Sequence, residues 1–279
     1  VPDRIDSLPP LRDVIRDNGL DARKSLGQNF LLDLNLTAKI ARNAGDLSAS
    51  DVIEIGPGPG GLTRAILLQG ARSLHAVEFD DRAIAALGPL VDAAQGRLTL
   101  VHGDALKTDM QQFGQDGARV IMANLPYNIA TPLLINWLSA IRDKNTGAFT
   151  QMVLMFQREV AQRIVAKPGD DAYGRLAIIS NWLCDARICM DLPPSAFTPP
   201  PKVHSAVVRF VPKKPDAHWP SFRAMETVTA AAFNQRRKMI RSSLRNYRDI
   251  LQSLGIDETL RAEQLSVEQF VAIAKASEA

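Results

Sequence analysis

A chain of 279 residues, 46% of them hydrophobic, can bury one large core, or one core and a small appendage. No apolar run is long enough to span a membrane, and the polar stretch Val1-Pro2-Asp3-Arg4 has no signal-peptide pattern, so a cytoplasmic protein is expected. The net charge of +3 is unevenly placed: residues 221–248 carry +6, with Glu226 as their only acid, and the remainder carries −3. A neutral to acidic body with one basic patch points to a polyanionic partner gripped at one place. Cys184 and Cys189 read as a reduced pair, and the four scattered histidines show no ligand spacing, so no metal is expected.

Residues 1–22 read as an N-terminal arm with a short helix at 11–17 that ends near Gly19. Arg23-Lys24-Ser25-Leu26-Gly27-Gln28-Asn29-Phe30-Leu31 mixes basic, amide and aromatic residues, as an ordinary connector or as a cover folded over a ligand. A helix follows at about 33–44. Then comes the stretch that organises the chain, Val52-Ile53-Glu54-Ile55-Gly56-Pro57-Gly58-Pro59-Gly60-Gly61-Leu62-Thr63. A β-branched run, a glycine turn and a leucine-rich helical pattern open a nucleotide-binding βαβ unit. Gly56, Gly58 and Gly61 satisfy a dinucleotide fingerprint, but Pro57 and Pro59 remove N–H donors that a pyrophosphate would need. Glu54 places an acid toward a cationic ligand. The spacing Glu-x-Gly-x-Gly-x-Gly resembles the first motif of S-adenosylmethionine-dependent methyltransferases, and the loop alone leaves both nucleotide cofactors open.

Downstream, strands at 73–77, 98–101, 120–123 and 152–156 alternate with helices at 82–94 and 132–141. That alternation predicts a parallel sheet wound on both faces, with ligands outside the carboxyl ends of its strands. Helices at 157–165 and after Tyr173-Gly174-Arg175 precede strands at 186–192 and 203–211, which are expected to pair antiparallel at the sheet edge. Residues 212–220 read as a linker and 221–279 as helices. The expected organisation is an arm (1–32), a catalytic α/β domain (33–212) and a small all-α domain (213–279).

Polar residues fall at the strand ends. Glu78 closes the second strand, where an acid accepts from ribose hydroxyls, and Asp104 closes the third, where it can accept from an adenine amino group. Asn124-Leu125-Pro126-Tyr127 closes the fourth. An exocyclic amine is hard to methylate because its lone pair is delocalised into the base. Accepting both amino hydrogens, at the Asn124 carboxamide oxygen and the Leu125 carbonyl, favours a pyramidal nitrogen with a usable lone pair. Pro126 holds that carbonyl in place, and Tyr127 offers a face for stacking. No strong general base is needed, so the catalysis is orientation and electrostatics.

Gly27-Gln28-Asn29-Phe30-Leu31, Glu54-Ile55-Gly56-Pro57-Gly58, Asn124-Leu125-Pro126-Tyr127-Asn128-Ile129, Phe197-Thr198-Pro199-Pro200-Pro201-Lys202-Val203 and Phe233-Asn234-Gln235-Arg236-Arg237-Lys238 together resemble the family of small-subunit ribosomal RNA dimethyladenosine transferases. The likeness covers nearly the whole chain. It implies a Rossmann-like class I methyltransferase sheet, S-adenosylmethionine as cofactor, and two adjacent adenines near the 3′ end of 16S RNA, each methylated twice at N6. It further implies cofactor contacts from Asn29, Leu31, Gly56, Gly58, Glu78, Asp104 and Asn124, with Phe197 facing Tyr127 across a target base drawn out of its stack. Arg236, Arg237, Lys238, Arg241 and Arg245 are expected to bind RNA phosphates, three of them on one helical face at four-residue spacing, with Arg23 and Lys24 adding to the patch. The expected partner is ribosomal RNA in a pre-30S particle, met by a monomer. The rivals are methylation of large-subunit RNA or DNA adenine, an assembly factor without catalysis, and, more distantly, a nicotinamide oxidoreductase.

Overall fold

The structure, a computed structural model, describes residues 5–21, 28–115, 118–143, 147–235 and 237–278. The chain divides into two compact units, one of residues 1–135, 147–158 and 188–210, the other of 136–146, 159–187 and 211–279. In chain order the first elements are α1 (Leu11–Asp17), β1 (Phe30–Leu31), α2 (Leu34–Arg42), β2 (Asp51–Ile55), α3 (Gly61–Leu68), β3 (Ser73–Glu78), α4 (Asp81–Ala86), α5 (Gly88–Ala93), β4 (Leu98–His102), β5 (Arg119–Asn124), α6 (Tyr127–Asp143) and β6 (Gln151–Gln157). They are followed by α7 (Arg158–Val165), α8 (Arg175–Leu183), β7 (Cys184–Leu192), β8 (Phe197–Thr198), β9 (Ser205–Pro212), α9 (Phe222–Phe233), α10 (Ile240–Ser243), α11 (Arg248–Ser253) and α12 (Val267–Ala276).

Seven strands form one sheet in the order β4-β3-β2-β5-β6-β9-β7. Strands β2 to β6 pair in parallel, β9 runs antiparallel to β6, and β7 flanks β9 at the edge. Every residue of β2 is buried, as a central strand covered on both faces requires. The chain runs outward from β2 through β3 to β4, then returns to β5. Such a reversal of strand order opens a crevice at the carboxyl ends of the strands. One large cluster of buried side chains, including Val52, Ile66, Leu74, Val120, Met122 and Val207, forms the core of this unit.

Several local features differ from the sequence expectation. The helix expected at 82–94 is two, because Pro89 has no N–H to offer the Ala85 carbonyl. The helix expected from 132 begins at Tyr127; Ile129 and Ala130 both donate to the Pro126 carbonyl, and Pro132 is carried inside the helix. A second, two-stranded sheet was not expected at all: β1 and β8 pair antiparallel, with Phe30 opposite Thr198 and Leu31 opposite Phe197.

In the second unit α8, α9 and α12 pack on one another. Tyr173 donates to the Leu265 carbonyl (3.0 Å), Phe233 stacks on Phe270, and Trp182 stacks on Phe222. The basic residues do not share one helix, contrary to their four-residue spacing. Arg237 and Lys238 precede α10, Arg241 lies in it, and Arg245 starts a separate 3₁₀ turn. Backbone pairing overrides the helical pattern here: Met239 bridges Arg261, Ile240 N–H donates to Leu260 (2.7 Å), and Arg241 N–H to Glu258 (3.1 Å). Arg237, Lys238, Arg241 and Arg245 are all exposed, whereas Arg236, Arg23 and Lys24 lie outside the described residues.

Candidate active site

A cavity of about 290 Å³ lies outside the carboxyl ends of β2, β3, β4 and β5, within the first unit. Gln28, Asn29 and Phe30 line one side, and Ile55, Gly56 and Gly58 enter from the turn after β2. Val77, Glu78 and Phe79 come from the end of β3, Gly103 to Leu106 from the end of β4, and Asn124 to Ile129 from the end of β5. The β-α alternation thus delivers Asn29, Gly56, Gly58, Glu78, Asp104, Asn124, Leu125, Pro126 and Tyr127 to one place. Leu31 and Phe197 are buried outside the lining, side by side on the β1–β8 pair and in the hydrophobic core.

Close approach, more than flexibility, requires two of the glycines. Gly58 has a φ of +53°, and a Cβ there would sit 3.0 Å from the Phe30 ring. A Cβ on Gly61 would meet the Leu31 carbonyl oxygen at 2.6 Å. The glycine loop is therefore seated against the segment that ends in β1. Its other support is Glu78, whose Oε2 accepts from Gly58 N–H (3.2 Å) while Oε1 accepts from Phe79 and Asp80 N–H (2.7 and 2.9 Å). The carboxylate is held rigidly at the cavity wall by three main-chain donors.

Glu54 lies beneath the loop, 1% exposed, and does not line the cavity. Its Oε2 has no hydrogen-bond partner. Burial pushes its pKa from 4.5 up to about 8. The nearby Thr63 hydroxyl opposes the rise without a hydrogen bond of good geometry, and the charge of Glu78 adds to it.

At the end of β5 the Asn124 amide nitrogen donates to the Asn29 carbonyl (3.0 Å). That bond orients the side chain and leaves its oxygen to accept from a ligand. The helix takes the Pro126 carbonyl for its first turn and not that of Leu125. Tyr127 is fixed by a 2.6 Å hydrogen bond between its hydroxyl and Ser205, and burial raises its pKa against the opposing effect of that bond. Ser205, on β9, carries no signal in the sequence. Phe79 and Leu106 also lie outside the sequence expectation, although a large apolar residue one or two positions after a strand-end acid is a usable signal. Both line the cavity and stay exposed, Phe79 to 62%.

The charged residues of the lining are Glu78 and Asp104, and among the described residues no Lys, Arg or His joins them. Two carboxylates without a cation suit a cationic nucleoside and oppose a pyrophosphate. Apolar Phe79, Val77 and Leu106 suit the faces of a purine. S-adenosylmethionine fits this donor set, whereas NAD does not. No group of three or more potential metal ligands occurs among the described residues, and no helix among them is long and apolar enough to cross a membrane.

A mostly parallel sheet with this cavity at its strand reversal defines a Rossmann-like class I methyltransferase domain. A dimethyladenosine transferase from Plasmodium falciparum superposes with a TM-score of 0.74 at 27% identity, covering 86% of this chain and 94% of that one. The 23S rRNA methyltransferase ErmE shares the fold, with a TM-score of 0.66 at 22% identity over 90% of this chain and all of that one. The family described as ribosomal RNA adenine dimethylase matches residues 19–278. Relatives named ribosomal RNA small subunit methyltransferase A are 56% identical in Ruegeria sp. (98% of each chain) and 55% identical in Mesorhizobium japonicum (96% of this chain, 97% of that one). The chain belongs to the ribosomal RNA adenine dimethylase family.

Proposed function

We propose that the protein transfers methyl groups from S-adenosylmethionine to N6 of two adjacent adenines near the 3′ end of small-subunit ribosomal RNA, two to each, in a pre-30S particle. The observation that carries this reading is the Asn29–Asn124 bond, which engages the amide nitrogen and leaves the amide oxygen to accept from a ligand in an acid-lined cavity. When bound, S-adenosylmethionine supplies an electrophilic methyl group. Glu78 accepts from the ribose hydroxyls, Asp104 from the adenine amino group, and Phe79 and Leu106 enclose the purine. Gly56 and Gly58 let the main chain approach, Asn29 and Phe30 close the near side, and Leu31 stays in the core outside the lining.

The target adenine stacks on Tyr127, while the Asn124 oxygen and Leu125 carbonyl accept its two amino hydrogens. Localising the nitrogen lone pair in this way is what the residues contribute; the methylated nitrogen is acidic and sheds its proton without a dedicated base. Phe197 anchors β8 against β1. The exposed cations Arg237, Lys238, Arg241 and Arg245 grip RNA phosphates, together with Arg236.

The test is methyl transfer from labelled S-adenosylmethionine to small subunits isolated from cells lacking this activity. Wild type is expected to yield N6,N6-dimethyladenosine, and Asn124→Ala to be slower by about 10²–10³-fold while still binding cofactor. Methylation confined to free large-subunit RNA or DNA, or none despite cofactor binding, would sink the reading.

A further inference from the structure

The turn after β3 carries an ion pair outside the cavity lining. Arg82 donates from Nη2 to Asp80 Oδ2 (2.6 Å), and from Nε and its main-chain N–H to Asp80 Oδ1 (3.0 and 3.1 Å). Asp80 is 6% exposed. Arg82 is not saturated by that partner. Its Nη1 donates to the carbonyls of Gly19 (2.7 Å) and Asp21 (3.4 Å), more than sixty residues earlier in the chain. Asp80 is shared in the same way, since Oδ2 also accepts from the Gln28 side chain (3.3 Å).

Gln28 lines the cavity, and the next residue, Asn29, holds Asn124. The main-chain N–H of Asp80 binds Glu78 Oε1, and Glu78 in turn holds Gly58. One ion pair therefore connects the N-terminal arm, the amide segment at 28–29, the strand-end acid and the glycine loop. Helix capping by Asp80 accounts for its bond to Arg82 N–H. It does not account for a guanidinium that spends its remaining donor on the arm, or for the Gln28 bond.

We infer that Asp80 and Arg82 are positioning residues for the cofactor cavity, fastening the arm and the Gln28–Asn29 segment to the Glu78 turn so that the cavity keeps its cofactor-binding shape. This rests on the proposed function and adds to it two residues outside the cavity lining. A guanidinium fork can hold a carboxylate and a pair of carbonyls together; an ammonium cannot reproduce both sets of bonds. Arg82→Lys therefore keeps the charge beside Asp80 and loses the arm. Gln28→Ala removes one tether without disturbing the helix cap.

The experiment is calorimetric titration of the full chain and its Arg82→Lys and Gln28→Ala variants with S-adenosylmethionine, alongside thermal unfolding and methyl transfer to small subunits. Both variants are expected to unfold near the wild-type temperature with full binding stoichiometry. Their dissociation constants are expected to rise about tenfold, the loss of one or two charge-assisted hydrogen bonds. With saturating cofactor, kcat of Arg82→Lys, which lies outside the cavity lining, is expected to stay within about threefold of wild type. Wild-type dissociation constants in both variants, or a fall in kcat at unchanged cofactor affinity, would overturn the inference alone. A wild-type chain that binds no S-adenosylmethionine would overturn the reading of the cavity and this inference with it.

Discussion

A carboxyl group buried with an unpartnered oxygen makes Glu54 a proton holder. Its pKa rises to about 8 when the chain folds, from 4.5, chiefly through desolvation. Folding then takes up a proton, so the stability contribution is full below pH 4.5 and is lost as pH rises through about 8. Glu54→Gln keeps the shape and removes the titration. The variant is expected to gain stability relative to wild type between pH 5 and pH 8, by about 1–3 kcal/mol, read from denaturant unfolding at the two pH values. An identical pH dependence in both proteins would mean that Glu54 is ionised in the fold. Residue identity says less about Phe197: the aromatic was legible, but its place in the core depends on which strand it pairs with.

Among the elements, the glycine loop and β1 form one construction, because neither Gly58 nor Gly61 has room for a methyl group. Gly58→Ala forces an L-residue into positive φ and presses on the Phe30 ring, whose edge can give way. Gly61→Ala presses instead on the Leu31 main chain, which pairs with β8. Gly61→Ala is expected to cost about 2–3 kcal/mol of stability, more than Gly58→Ala at about 1–2 kcal/mol. Gly58→Ala is expected to weaken cofactor binding more, since Gly58 lines the cavity and holds Glu78. Urea unfolding beside cofactor titration would separate the two, and equal effects on both quantities would contradict this division.

For the whole molecule, the proposed grip on a polyanion falls to the basic segment. Arg237, Lys238, Arg241 and Arg245 are dispersed over short helical turns, but all four remain exposed. Each phosphate deprived of its cation is expected to reduce the slope of log affinity against log salt by about one. Replacing all four by Ala should flatten the salt dependence of small-subunit binding and leave cofactor affinity untouched. Binding with an unaltered slope would place the RNA-gripping cations elsewhere.

The sequence by itself determined the parallel sheet, the polar residues at its strand ends and the family. Short, continuously apolar runs alternating with helical patterns allow little else, and Glu78, Asp104 and Asn124 follow directly from where those runs stop. What only the tertiary structure decided are pairings between distant segments: β1 with β8, Asn29 with Asn124, Tyr127 with Ser205, and Arg82 with the arm. It also broke the apparent helix of arginines, because Met239 and Ile240 found backbone partners near residue 260. Local patterns record what a segment prefers alone. Hydrogen bonds between segments depend on the folded path of the chain, and a spacing of four residues cannot show that a better partner lies about twenty residues further on.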